Sequence, residues 1–92
     1  MTTKEMEFLN RVFPEGLDGE LIRLPKKHKQ KIWVLKVFSR KFIEGKRYSE
    51  KEVNELLKKQ YVDYVTLRRD LYEFKFIDRL DDGSAYWLVE TA

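Results

Sequence analysis

The chain has 92 residues, of which 42% are hydrophobic, 14% aromatic and 38% charged, with a formal net charge of +3. That length makes one domain with a thin core, and that composition belongs to a globular chain with a heavily charged surface, not to a disordered one. Cysteine is absent, which excludes disulfides, thiolate zinc sites and a Cys nucleophile.

Six Phe, five Tyr and two Trp let a small number of side chains fill the core, since each aromatic buries a large area. No apolar run approaches the ~20 residues of a membrane span. The N-terminus MTTKEMEFLNRVF has no signal-peptide h-region. A soluble cytoplasmic protein is expected, without contact to a membrane. Charge is unevenly spread. Residues 23–47 carry ten Lys/Arg against the single Glu44, whereas residues 49–92 are net negative.

Residues 3–13 place Met6, Leu9, Val12 and Phe13 on one helical face, with Phe8 to the side. Thr2 or Thr3 is the expected cap, and Pro14 and Gly16 are the expected stop. Residues 14–25 contain both prolines and two glycines and read as a connecting loop, with 21–24 as a candidate edge strand. This N-terminal unit, residues 1–25, is expected to pack on a domain formed by residues 26–92, the two making a single globular unit.

Residues 26–43 read as a basic lead-in followed by a helix. Ile32, Leu35, Phe38, Phe42 and Ile43 share one arc, and Trp33, Val34 and Val37 form a second. A helix apolar on two sides is sandwiched. Gly45 ends it, and residues 46–48 run extended. Ser49 with Glu52 three residues on forms a capping box. It opens a helix over 50–60 that buries Val53, Leu56 and Leu57. Asp63 is placed to cap a second helix, 64–75, by accepting from the Thr66 amide. This helix puts Tyr64, Leu67, Leu71 and Phe74 on one face. Residues 76–80 and 85–89 read as strands joined by the turn Asp81-Asp82-Gly83-Ser84, where Gly83 supplies a positive φ. Residues 46–48 are expected to pair beside the returning strand.

Helix, short strand, helix, helix, strand, turn, strand is the order of a winged helix-turn-helix. The expected fold class is therefore α+β: a three-helix core with a small antiparallel sheet or wing, plus an extra N-terminal helix. In such a fold the third helix of the core enters a DNA major groove.

The run F-I-E-G-K-R-Y-S-E-K-E-V-N, Phe42 to Asn54, and the run D-Y-V-T-L-R-R-D-L, Asp63 to Leu71, resemble an uncharacterised bacterial family, domain of unknown function 2087. Its pattern is close to F-x-x-G-R-x-Y-[ST]-E-x-E-V-N, then D-x-x-x-L-R-R-x-L, then a Gly-containing turn and a Tyr. The lead-in L-P-K-K-x-K-Q-K, from Leu24, is similar as well. The resemblance covers residues 21–88 and implies a regulatory setting, because members stand alone or are appended to bacterial transcription regulators. The shorter run Thr66 to Leu71 resembles the recognition helix of the winged-helix sugar-catabolism repressors typified by the deoxyribose repressor, a likeness that speaks for the fold.

Candidate DNA contacts on the third helix are Arg68 and Arg69, with Thr66 and Tyr72 nearby, because Arg is the commonest reader of guanine edges and a strong phosphate ligand. The alternative for the arginines is structural: Arg69 pairs with Glu73, and Arg68 packs over the core and reaches a carboxylate of the preceding helix. Lys26, Lys27, Lys29, Lys36, Arg40, Lys46 and Arg47 form a basic surface able to attract phosphates without reading sequence; the alternative is a solvated face. Asp78, Asp81 and Asp82 around Arg79 make an acidic wing. His28 is the only histidine, and no metal set, no cofactor motif and no catalytic arrangement is seen; an enzyme is not expected. Met6, Leu9, Val12, Phe13, Trp33 and Val37 form either a homodimer contact or packing within one chain. The leading expectation is a transcription-regulator-type protein binding duplex DNA. The alternative is a protein-interaction or dimerisation module of the same fold that binds no DNA.

Overall fold

The computed structural model describes residues 2–89. Met1 and residues 90–92, which the sequence reading included in its two units, lie outside the described residues. Four helices, α1 (Thr3–Val12), α2 (His28–Ser39), α3 (Glu50–Lys58) and α4 (Tyr64–Glu73), are followed by the strands β1 (Ile77–Arg79) and β2 (Tyr86–Leu88). The fold is α+β in a winged-helix arrangement, with α2, α3 and α4 as the three-helix body and the hairpin as its wing.

Local chemistry sets most helix starts. The Thr2 hydroxyl accepts the Glu5 N–H at 3.2 Å. Ser49 and Glu52 close a reciprocal capping box: the Ser49 Oγ accepts from Glu52 N at 3.1 Å, and Glu52 Oε1 accepts from Ser49 N at 2.9 Å. Asp63 accepts the Thr66 N–H at 3.3 Å and the Thr66 hydroxyl at 2.8 Å. Helix α2 has no side-chain cap, and packing alone must fix where it begins.

The end of α4 is a Schellman motif built on lysine. Phe76 N–H bonds to Leu71 O at 2.9 Å and Lys75 N–H to Tyr72 O at 3.1 Å, which leaves Lys75 at φ +67°. That left-handed position usually belongs to glycine. The chain then enters β1, antiparallel to β2 in the register Ile77↔Leu88, Asp78↔Trp87 and Arg79↔Tyr86. Gly83, φ +75°, makes the expected turn. The Asp82 carboxylate accepts the Ser84 N–H at 2.9 Å; the Ser84 side chain first, and this N–H second, hold the Asp82 pKa below its ordinary value.

The extended run 46–48 reduces to one bridge. Tyr48 and Tyr86 exchange backbone hydrogen bonds of 2.8 and 2.7 Å, so Tyr86 pairs with Tyr48 on one side and with Arg79 on the other. Tyr48 also pins the turn before it. Its hydroxyl accepts the Ile43 N–H at 2.8 Å, and its ring meets Phe42 edge-on at 5.2 Å.

One core runs from α1 to the wing, with Phe8, Leu9, Val12, Phe13, Leu21, Leu35, Phe38, Leu57, Leu67, Leu71, Ile77 and Tyr86 among its members. Several expectations need correction here. Helix α2 stops at Ser39, whose hydroxyl bonds back to Lys36 O at 2.8 Å. Phe42 therefore enters the core from a turn, and Ile43 faces solvent. Residues 21–24 form no strand. Leu21 N–H bonds to Gln60 O at 2.7 Å and Ile22 N–H to Val12 O at 3.0 Å, so their backbone is committed to helix ends.

On α1 the buried arc is rotated from the expected one. Phe8 is buried and Met6 exposed, because Phe8 closes on Trp33 at 5.9 Å between ring centroids while Arg23 covers Phe8 at 5.8 Å. Leu9, Val12, Phe13 and Val37 are buried within one chain. They cannot serve as a homodimer surface without unfolding; of that proposed contact, Met6 is exposed and Trp33 only half-buried.

Candidate nucleic-acid interface

Helix α4 packs Leu67 and Leu71 inward. Its helical period then sends Val65, Arg69 and Tyr72 outward. Val65 is 43% exposed and Tyr72 37%, and Arg69 and Glu73 are exposed as well. Between this face and the wing lies an open cleft of about 400 Å³ lined by Glu50, Arg68, Arg69, Tyr72, Glu73, Arg79 and Tyr86.

The expected α4 residues play different parts. Arg68 is half-buried and tied to α3: Nη1 bonds to the Asn54 side-chain oxygen, and Nη2 lies 3.4 Å from Glu50 Oε1. Arg69 has no such partner among the described ion pairs, and the alternative pairing with Glu73 is not among them. The Thr66 hydroxyl is committed to Asp63. Tyr72 is stacked by Arg79, whose guanidinium lies 5.0 Å from the ring centroid.

Sequence reasoning missed Arg79, Tyr86 and Glu50 as members of this cleft. Arg79 looked like an isolated charge in an acidic turn. The alternation of β1 was the signal, since Arg79 shares a strand face with buried Ile77. The Glu50 carboxylate accepts the Tyr86 hydroxyl at 3.2 Å. Burial, reinforced by Glu50 and opposed by Arg68, raises the Tyr86 pKa above its ordinary value of 10.0 and keeps the phenol protonated as a donor.

The basic residues upstream do not gather on one surface. Lys31 forms an ion pair with Asp70 at 3.2 Å, and Lys41 bonds to Asp18 at 2.9 Å. Lys26 and Lys27 line a hollow with Arg23 at the start of α2. That end of α2 lies against the end of α4, with His28 and Phe74 rings 5.3 Å apart. Lys29 sits over Trp33 at 5.6 Å. Lys36 and Arg40 are exposed, and Arg40 borders a hollow with Leu17, Asp18 and Val37, away from α4. Lys46 covers Tyr48 at 4.8 Å, and Arg47 covers Trp87 at 4.7 Å. The structure thus brings Arg68, Arg69 and Tyr72 together with Arg79, and leaves Lys36 and Arg40 apart from them.

The two motif runs that frame α3 and α4 lie within a larger match. The family model described as an uncharacterized protein conserved in bacteria (DUF2087) matches residues 20–88. The chain belongs to this family. The DUF2087 segment contains α2, α3, α4 and the wing, and α1 precedes it. No curated protein and no solved structure matches the chain. Among the described residues of this DUF2087 member, no three His, Asp or Glu side chains converge as a metal site, and no helix is long and apolar enough to cross a membrane.

Proposed function

We propose that this protein is a non-enzymatic, duplex-DNA-binding module of the bacterial transcription-regulator type, acting in the cytoplasm where bacterial DNA lies. The observation that carries this reading is the convergence of Arg68, Arg69 and Arg79 on one open cleft between the outward face of α4 and the wing. A winged helix lays this helix in the major groove and its wing along the backbone. Guanidinium groups at that junction suit phosphate oxygens and guanine edges, both of which they engage in bidentate fashion. Arg69 is the expected groove contact and Arg79 the expected backbone contact. Arg68, held by Asn54 and Glu50, sets the wall between them. Lys26 and Lys27, which precede the α2 start that meets the C-terminal end of α4, add phosphate contacts.

A second reading, a protein-interaction module without DNA binding, draws support from the exposed Asp78, Asp81 and Asp82 on the wing and from Glu73 beside Arg69. Fluorescence anisotropy with a random-sequence duplex separates the two. On the DNA reading, the logarithm of affinity falls linearly with that of salt, by about 0.9 for each phosphate engaged, and Arg69→Ala weakens binding. An absence of binding at low salt favours the second reading.

A further inference from the structure

We infer that α4 recognises duplex DNA at its N-terminal end chiefly through thymine 5-methyl groups; this rests on the duplex-binding reading above. The first turn of a recognition helix is the part that reaches base edges, and here its outward side chains are mostly apolar. Asp63 is occupied twice, by the Thr66 amide at 3.3 Å and by the Thr66 hydroxyl at 2.8 Å. The Thr66 hydroxyl thus spends its one donor on Asp63, and its methyl is the apolar group it adds to this turn. Val65, beside it, is 43% exposed, and Val62, just before the cap, is 86% exposed. Neither valine belongs to the core or packs against it.

The first free donor on the outward face is Arg69, one turn further on. Apolar side chains in a major groove have one base-specific partner, the thymine methyl. The neighbouring charge supports a duplex as occupant of this face, with Arg69 one turn beyond Val65 on the same side of α4 and Arg79 next to it on the wing. This assigns thymine reading to Val62, Val65 and Thr66, beside the groove contact of Arg69 and the backbone contact of Arg79.

The test takes the sequence most enriched from a pool of random-sequence duplexes and compares it with the same duplex carrying uracil for thymine. The expected loss is roughly fourfold for each contacted methyl. Val65→Ala and Thr66→Ser, the latter keeping the capping hydroxyl, should bring the thymine-to-uracil ratio toward one. Arg69→Ala should weaken both duplexes alike and leave the ratio unchanged. Equal affinity for the two duplexes, or a pool in which no sequence is enriched, overturns the inference while leaving duplex binding intact. An absence of binding to the pool at low salt overturns the duplex reading and this inference together.

Discussion

Lys31 Nζ lies 3.2 Å from Oδ2 of Asp70, an ion pair that joins the first turn of α2 to the C-terminal half of α4. The side chains are only 19% and 10% exposed, and the Lys31 ammonium also sits 5.6 Å from the Phe74 ring. Asp70 Oδ2 has no well-aligned hydrogen bond, so charge pairing is its main compensation for burial. Lys31→Met should therefore cost about 3 kcal/mol by leaving a buried carboxylate unpaired, and adding Asp70→Leu should recover most of that loss. Urea unfolding at unchanged m-value is the measurement.

Gln60 is a second buried polar anchor. Its side-chain amide donates to Leu17 O at 2.8 Å and Gly19 O at 2.7 Å, and its own carbonyl accepts from Leu21 N. It thereby fastens the loop between α1 and α2 to the turn before α4. Gln60→Leu should cost about 2 kcal/mol, because two carbonyls lose their donor in a part-buried site. Faster hydrogen exchange at Leu21 than at Leu67 would locate the loosening.

Lys75 stands at φ +67°, where a side chain costs roughly 1–2 kcal/mol and glycine does not. After the extra unfolded-state entropy of glycine is subtracted, Lys75→Gly should stabilise the protein by about 0.5–1 kcal/mol. A rise in Tm checks this. A fall would mean that the lysine side chain contributes more than its backbone strain costs.

The α3 capping box makes stability depend on pH. The Ser49 N–H, joined by the Ser49 side chain, holds the Glu52 carboxyl below its ordinary pKa of 4.5. A depressed folded-state pKa gives stability that is complete above 4.5 and lost as pH falls through the folded value. Glu52→Gln, which keeps an acceptor for the Ser49 amide, should flatten the acid side of the stability profile. Ser49→Ala should cost about 1 kcal/mol at neutral pH.

These residues divide sharply by how far their partners lie along the chain. Ser49 with Glu52 and Asp63 with Thr66 are three residues apart, and Gly83 acts within its own turn. Such features are legible because residue type and short spacing determine them. Gln60 reaches back 43 residues to Leu17, and no local pattern separates it from an ordinary surface glutamine. Asp70 lies within a helix whose apolar spacing marks Leu67 and Leu71, so its burial depends on where Lys31 arrives. The choice between Met6 and Phe8 on α1 was decided by Trp33 of another helix. In the candidate interface, Arg68 and Arg69 were visible as a pair. Their separation into a wall residue held by Asn54 and a free outward residue depends on α3, and so was not visible.

That separation gives a paired expectation. Arg68→Ala should lower stability by about 1 kcal/mol through loss of its contacts to Asn54 and Glu50. Arg69→Ala, on the outward face, should leave Tm unchanged and reduce duplex affinity roughly tenfold. Thermal unfolding and anisotropy on the same two variants provide the readouts.

The claim that α4 is the contact surface is tested most directly by amide NMR shifts during titration with a random-sequence duplex, repeated across a salt series. The account predicts shifts at Val65, Thr66, Arg69, Tyr72 and Arg79, with an affinity that falls steeply as salt rises. Shifts confined to Lys26–Arg40, or no shift at low salt, would contradict it.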